Sequence, residues 1–305
     1  MKKFLVLCVS AAMLLSTAAM SLAAATVGGD FRYDMYQDES KTDESYAETA
    51  LYYSVAGDVS DSVYAFAKFK VSQKSGTTDD SWDSVVDEFY ATAKYFWGTA
   101  KMGYYEYKFT PSRVELKSAG MHVFPKTDAT FEVNVPVAEG FTVDGVVAPY
   151  NHKNSDGDVQ VDDGAYAVAV NYKTENWGAK VTYADFAEDT LGDLTALDVY
   201  YQINDDMKAF VDAVDYSEYE GNTGDKYQDG FDPVLGFVWS NIGGTNLKAS
   251  AEYAINKRFD DTSKEYSEYV LKAEYKLTNN VNLVLYHFVV GDSKTKDKFR
   301  IQYKF

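Results

Sequence analysis

Beyond its first 25 residues the chain alternates apolar and polar positions almost without interruption. Val63, Ala65, Ala67, Phe69 and Val71 interleave with Tyr64, Phe66, Lys68 and Lys70, and Phe131, Val133 and Val135 with Glu132 and Asn134. Tyr269, Leu271, Ala273, Tyr275 and Leu277 keep the same beat around Val270, Lys272, Glu274 and Lys276. A period of two is the mark of strands with one apolar face, because successive side chains point to opposite sides. Helical periodicity is nearly absent. At roughly nine or ten residues each, the pattern predicts sixteen strands, near 27–36, 46–56, 63–72, 86–96, 101–109, 130–137, 141–150, 165–172, 179–186, 194–203, 207–217, 231–240, 247–255, 266–277, 281–290 and 298–305. Short connections such as Ala138-Glu139-Gly140, Asn204-Asp205-Asp206 and Thr278-Asn279-Asn280 alternate with longer polar ones. Antiparallel neighbours that turn tightly at one end give that rhythm, and an even count brings both termini to the short-turn end.

Residues 1–25 break the pattern. Lys2 and Lys3 form a basic start, Phe4 to Met20 is apolar, and Ser21-Leu22-Ala23-Ala24-Ala25 offers small residues where a leader is cut. This reads as a secretory signal peptide, followed by one domain over 26–305. No later run reaches the roughly 20 apolar residues that a spanning helix needs. Cys8, the one cysteine, would leave with the leader, so disulfides cannot hold the exported chain together. Aromatic residues at 16% and only 5 prolines favour strands over disorder. With Asp+Glu 47 against Lys+Arg 29, the net charge of -18 repels phosphate backbones, which sets nucleic acid aside as a partner.

Two architectures can use such strands. A soluble sandwich turns its apolar faces inward, whereas a membrane barrel turns them to lipid around a wet interior. Lysines and glutamates recur at mid-strand on the polar faces, and aromatic residues recur near strand ends on the apolar ones: Tyr53, Tyr95, Trp97, Phe109, Tyr201, Trp239 and Tyr253. Amphipathic rings at both ends of an apolar band suit two membrane interfaces. Strands in lipid must also close, because nothing there satisfies a free edge. The expected fold is all-β, a transmembrane antiparallel up-and-down barrel of about 16 strands.

In these features the chain resembles the sixteen-stranded general porins of bacterial outer membranes. The leader, the alternation of short turns with long loops, and a terminal Phe305 preceded by apolar residues at every second position carry the likeness. So does Val135-Pro136-Val137-Ala138-Glu139-Gly140-Phe141, where a proline followed four residues later by Gly-Phe matches the family's link after its third long loop. The pattern covers the chain after the leader, while close matching is confined to that turn and the C-terminus. The resemblance implies a passive diffusion channel for ions and small hydrophilic solutes in the outer membrane, without a cofactor. It further implies a homotrimer surrounded by outer-membrane lipid, handed to the barrel-assembly machinery through Phe305.

The same resemblance places the third long loop, 110–129, inside the channel. Ser112-Arg113-Val114-Glu115 reads as a capping box, with Gly120 placed to end a short helix. Candidate constriction residues are Arg113, Glu115, Lys117, His122, Lys126 and Asp128. Here the sequence departs from the family, whose constriction loop is acidic and faces a basic wall. With polar faces inward, the wall presents Arg32, Lys68, Lys70, Lys94, Lys272 and Arg300 among its bases, with Lys108 and Lys180, against acids such as Glu106, Asp144, Asp198 and Glu252. The two signs nearly balance. Excess acid falls in long loops, chiefly Asp156, Asp158, Asp162 and Asp163, with smaller groups at Glu188, Asp189 and Asp193. Such loops would concentrate cations at the outer mouth and give weak cation selectivity, unless they are simply a solvated surface.

Catalytic signatures are missing from the sequence. It has three histidines but no Gly-x-Ser-x-Gly elbow, phosphate loop, His-Glu-x-x-His or paired-cysteine metal site. Asn154-Ser155-Asp156-Gly157-Asp158 begins like a calcium loop, yet Val159 stands where that loop needs glycine and Ala165 where it needs an acid. Neither enzyme activity nor a metal site is therefore expected. Three other readings stay open: an outer-membrane hydrolase using His287, a non-conducting adhesin or structural barrel, and a soluble secreted β-protein.

Overall fold

A computed structural model describes residues 25–38, 44–75, 82–112, 116, 123–124, 130–148, 151–153, 159–161, 165–188, 191–219, 228–258, 266–290 and 294–305. The strands among them are β1 (Thr26–Asp38), β2 (Glu44–Ser60), β3 (Val63–Ser75), β4 (Trp82–Tyr95), β5 (Gly98–Tyr104), β6 (Tyr107–Lys108), β7 (Val123–Phe124), β8 (Thr130–Ala138), β9 (Phe141–Ala148) and β10 (Asn151–Lys153). There follow β11 (Val159–Val161), β12 (Ala165–Lys173), β13 (Trp177–Glu188), β14 (Leu191–Asn204), β15 (Met207–Tyr219), β16 (Gln228–Trp239), β17 (Leu247–Arg258), β18 (Tyr266–Lys276), β19 (Val281–Val290) and β20 (Lys294–Lys304). All but β6, β7, β10 and β11 close into one sixteen-stranded antiparallel barrel in chain order, and those four form two small ladders in loops. Each of the sixteen segments that alternation marks out contributes one barrel strand.

The seam joins the two ends of the chain. β20 pairs with β1 from Asp30↔Lys304 to Asp38↔Lys296. Below that register, Gly29 and Phe305 exchange both backbone hydrogen bonds, each 3.1 Å long. A Cβ at Gly29 would strike the Tyr52 carbonyl and come within 2.8 Å of the Phe305 ring, so glycine is what lets the last residue close the wall. Gly140, in the tight turn between β8 and β9, has φ 74, which a side chain resists. There a Cβ would also lie 2.8 Å from the Lys173 carbonyl oxygen.

The two faces of the wall differ as lipid and lumen require. Outward residues such as Val181, Leu197, Leu235, Leu271 and Leu285 are between 41% and 57% exposed, an apolar girdle far larger than water-facing patches normally become. Aromatic contacts edge it near the short turns, where Tyr95 stacks on Trp97 at 5.0 Å and Phe141, Tyr172 and Trp177 follow one another at 4.3 and 4.9 Å. Inward residues on alternate positions include Asp34, Asp144, Lys180, Asp198, Glu252 and Glu268, all buried.

Several details differ from the sequence reading. β5 ends at Tyr104 instead of running to 109, because Tyr105, Tyr107 and Phe109 continue the alternation after the chain has left the wall. Phe109, expected at a membrane interface, is completely buried within the barrel. Glu188 and Asp193, expected in a long acidic loop, belong to strands: Glu188 pairs with Leu191, so only 189–190 separates β13 from β14.

Candidate channel interior

Three carboxylates on distant strands receive the segment that follows β5. The Tyr107 hydroxyl donates to Asp144 Oδ2 on β9 at 2.9 Å. Ser112 donates its backbone N–H to Asp198 Oδ2 on β14 at 2.7 Å and its hydroxyl to Oδ1 at 2.8 Å. The Leu116 N–H donates to Glu252 Oε2 on β17 at 2.8 Å. A segment rooted between β5 and β8 reaches β17 in a closed barrel only by crossing the lumen, so the third long loop folds inward. Apolar contacts accompany these bonds. Tyr107 and Phe109 pack with Val146, Ala167 and Ala184, and Leu116 packs with Phe210, Val234 and Val270. Burial, reinforced by the Asp144 carboxylate, pushes the Tyr107 phenol up and keeps it a donor. Asp144 also accepts from Asn134 and Asn171, at 2.5 and 3.0 Å, and lies 3.7 Å from Lys180 Nζ.

The wall around the seam, from β18 through β20 to β3, carries a different chemistry. Arg32, Lys68 and Lys70 surround the Tyr52 ring at 4.1, 5.3 and 5.7 Å. Lys272, Lys298 and Arg300 surround Tyr286 at 5.1, 4.0 and 5.7 Å. The ring faces thus help to hold the cations in place. Each of the expected wall bases here also has a carboxylate. Arg300 grips Asp34 with two bonds of 2.6 and 2.7 Å, Lys70 donates to Glu48 at 3.0 Å, and Lys68 lies 2.5 Å from Asp87. Arg32 pairs with Asp30, and Lys272 stands 3.9 Å from Glu274.

Of the residues singled out from sequence, Arg32, Lys68, Lys70, Lys272 and Arg300 come together on this wall, whereas Lys94 sits near the short-turn end of β4. Glu106 and Lys108, expected on the wall, lie on the in-folded segment, and the Lys108 carbonyl accepts from Lys180 Nζ at 2.8 Å. Arg113, Glu115, Lys117, His122, Lys126 and Asp128 lie outside the described residues, as do Asp156, Asp158, Asp162 and Asp163 and the proposed capping-box helix. His287 faces outward with its Nδ1 2.7 Å from Asp297 Oδ1, on the side of the wall away from the lumen. Asp144, Asp198 and Glu252, expected only as wall acids, also anchor the loop. Lys296, Lys298 and Lys101 are further bases of the inner wall, legible from the inward parity of their strands, and they lie over the Tyr36, Tyr286 and Tyr90 rings.

Solved structures share this architecture. One, described as "Asymmetric conductivity of engineered proteins", superposes with a TM-score of 0.62 over 92% of this chain and 100% of its own, at 13% identity. The chain has the fold of the sixteen-stranded porins. A substituted Rhodopseudomonas blastica porin gives a TM-score of 0.62 at 12% identity, and a triple mutant of that porin gives 0.61 at 11%, each with the same coverage. No family model and no curated protein sequence matches the chain.

Proposed function

We propose that this porin-fold chain is an outer-membrane porin, a passive diffusion channel for ions and small hydrophilic solutes with weak cation selectivity. The observation that carries the reading is a closed barrel, apolar outside and charged inside, whose lumen is crossed by a loop tied to Asp198 and Glu252. A barrel that only anchored an adhesin has no need of ionised side chains held apart on two walls around a loop. Residues 1–25 are proposed to be the export signal, removed before the barrel enters the membrane through recognition of Phe305, and no step of bond chemistry is assigned to the protein.

Planar-bilayer recording tests the reading. Purified protein should insert stepwise and conduct, with a reversal potential across a salt gradient of cation-selective sign that strengthens as salt is diluted, because screening sets in over roughly 10 Å at 0.1 M. Replacing Lys68 and Lys272 by Gln leaves Asp87 and Glu274 without their bases and should raise the cation preference. A protein that folds and inserts but carries no current is not a porin, and anion selectivity in the wild type would refute the assigned sign.

A further inference from the structure

The seam-side bases are matched by carboxylates, but three lysines at the short-turn end are not. Lys248 on β17, Lys276 on β18 and Lys304 on β20 line a cavity of about 370 Å³ together with Ser240, Asn282 and Glu274. Register places Lys248 opposite Glu274 and Lys276 opposite Asn282. Those positions share the inward face with buried Glu252, Val270 and Val284, while Tyr275, Ile301 and Tyr303 on the other parity are exposed to the outside. Among the described residues none of the three ammonium groups forms an ion pair.

Nearby acids are already engaged. Glu274, the one carboxylate in the cavity lining, accepts from Asn282 Nδ2 at 3.1 Å and faces Lys272 Nζ at 3.9 Å. Asp206, in the adjoining turn, accepts from Asn241 Nδ2 at 2.7 Å, and Asp30, opposite Lys304, is held by Arg32. A surplus of positive charge therefore faces a wet, concave space, with three donors on each ammonium group.

We propose that this cavity is an anion subsite at the short-turn mouth of the barrel, suited to the phosphate group of a small solute. A phosphate carries more than one charge and presents acceptors in several directions, so several lysines lining one cavity attract it more strongly than a singly charged halide. A lipid headgroup is the wrong source, because the lysines point into the lumen. The inference rests on the channel reading only for how the solute arrives.

Binding is measured apart from conduction by titrating inorganic phosphate into the purified protein in detergent micelles at constant ionic strength and following the phosphorus NMR line width. Saturable broadening is expected. Lys248→Gln, Lys276→Gln and Lys304→Gln combined should weaken it by about fivefold per lysine, while Arg at all three positions should retain it. In bilayers, phosphate added on the short-turn side should reduce the chloride current more than phosphate added opposite. Broadening that never saturates, or a Gln variant that binds like wild type, overturns the subsite. A channel that conducts yet binds no phosphate refutes the subsite alone; saturable binding by a protein that carries no current refutes the channel reading and supports the subsite.

Discussion

At the scale of single residues, the Arg300–Asp34 pair is a two-bond ionic contact across the seam. Its two bonds of 2.6 and 2.7 Å join residues 266 positions apart, and the two side chains are only 15% and 6% exposed. A planar guanidinium meeting a carboxylate in this way fixes angle as well as distance. Tyr36 adds a third donor to Asp34 at 3.1 Å. Removing the arginine leaves that carboxylate buried without a counter-charge, which in such settings costs about 3 to 5 kcal/mol. Arg300→Met should therefore lower the unfolding free energy obtained from urea titration of the barrel in lipid vesicles by that order, whereas Arg300→Met combined with Asp34→Leu should recover most of it, since paired apolar replacements are often neutral. Equal loss in the single and double variants would show that the orphaned carboxylate is not the source of the cost. The alternation put both residues on the polar face, but their partnership was not legible. Barrel closure brings together the two ends of the chain, and the register of the last strand on the first is a property of the whole sheet.

At the scale of elements, the sixteen strands were legible because lipid on one side and water on the other impose a period of two. The exit of β5 was not, and the reason lies in the loop. Where the in-folded segment covers the inner wall, that wall is apolar too, and β12 reads Ala165-Tyr166-Ala167-Val168-Ala169-Val170, apolar on both faces with its inward alanines buried. Such a stretch carries a signal that some other element must lie over its inner face, though the sequence does not name it. Tyr107 and Phe109 are that cover. Polar anchors complete the docking, and bonds to ionised acceptors contribute about 1.5 to 3 kcal/mol each. Asp198→Ala together with Glu252→Ala should leave the barrel strands protected but release the segment, so amide exchange at Ser112 and Leu116 should quicken and single-channel current should become noisier. Asp198→Asn, which keeps one acceptor oxygen, should have a weaker effect. Unchanged exchange in the double alanine variant would mean that the apolar contacts alone hold the loop.

At the scale of the whole molecule, the outer surface is not uniform around its circumference. Between β2 and β8 it carries rows of small side chains, with Phe89, Met102 and Phe131 standing out beside them. Register lines up Gly57, Ala65, Ala91 and Met102 across β2 to β5, and Val63, Ala93, Ala100 and Val133 across β3 to β8. Farther round, Leu197, Leu235, Leu271 and Leu285 stand out from the wall, although small side chains recur there at Ala249, Ala251 and Ala273. Small residues allow close approach of two backbones, and close approach supplies the packing that drives association where lipid removes the hydrophobic incentive. We expect this low face to be where copies of the barrel meet in a homotrimer, with lipid covering the remainder. Ala67 and Ala91 lie in the short-turn halves of their strands, and an arginine facing lipid destabilises by a depth-dependent amount that reaches about 2 to 4 kcal/mol at the midplane. Two such substitutions in a contact between barrels would also bring like charges together. Ala67→Arg with Ala91→Arg should thus convert trimers to monomers on native gels and in cross-linking, while heat-modifiable migration on semi-native gels shows that the barrel still folds. Arginines at Leu235 and Leu271, whose side chains also face outward, at the middle of their strands or on the short-turn side of it, serve as the control: they should weaken folding without changing the oligomer. A trimer that survives the first pair, a wild type that is already monomeric, or monomers produced equally by both pairs would remove the β2–β8 face from the assembly.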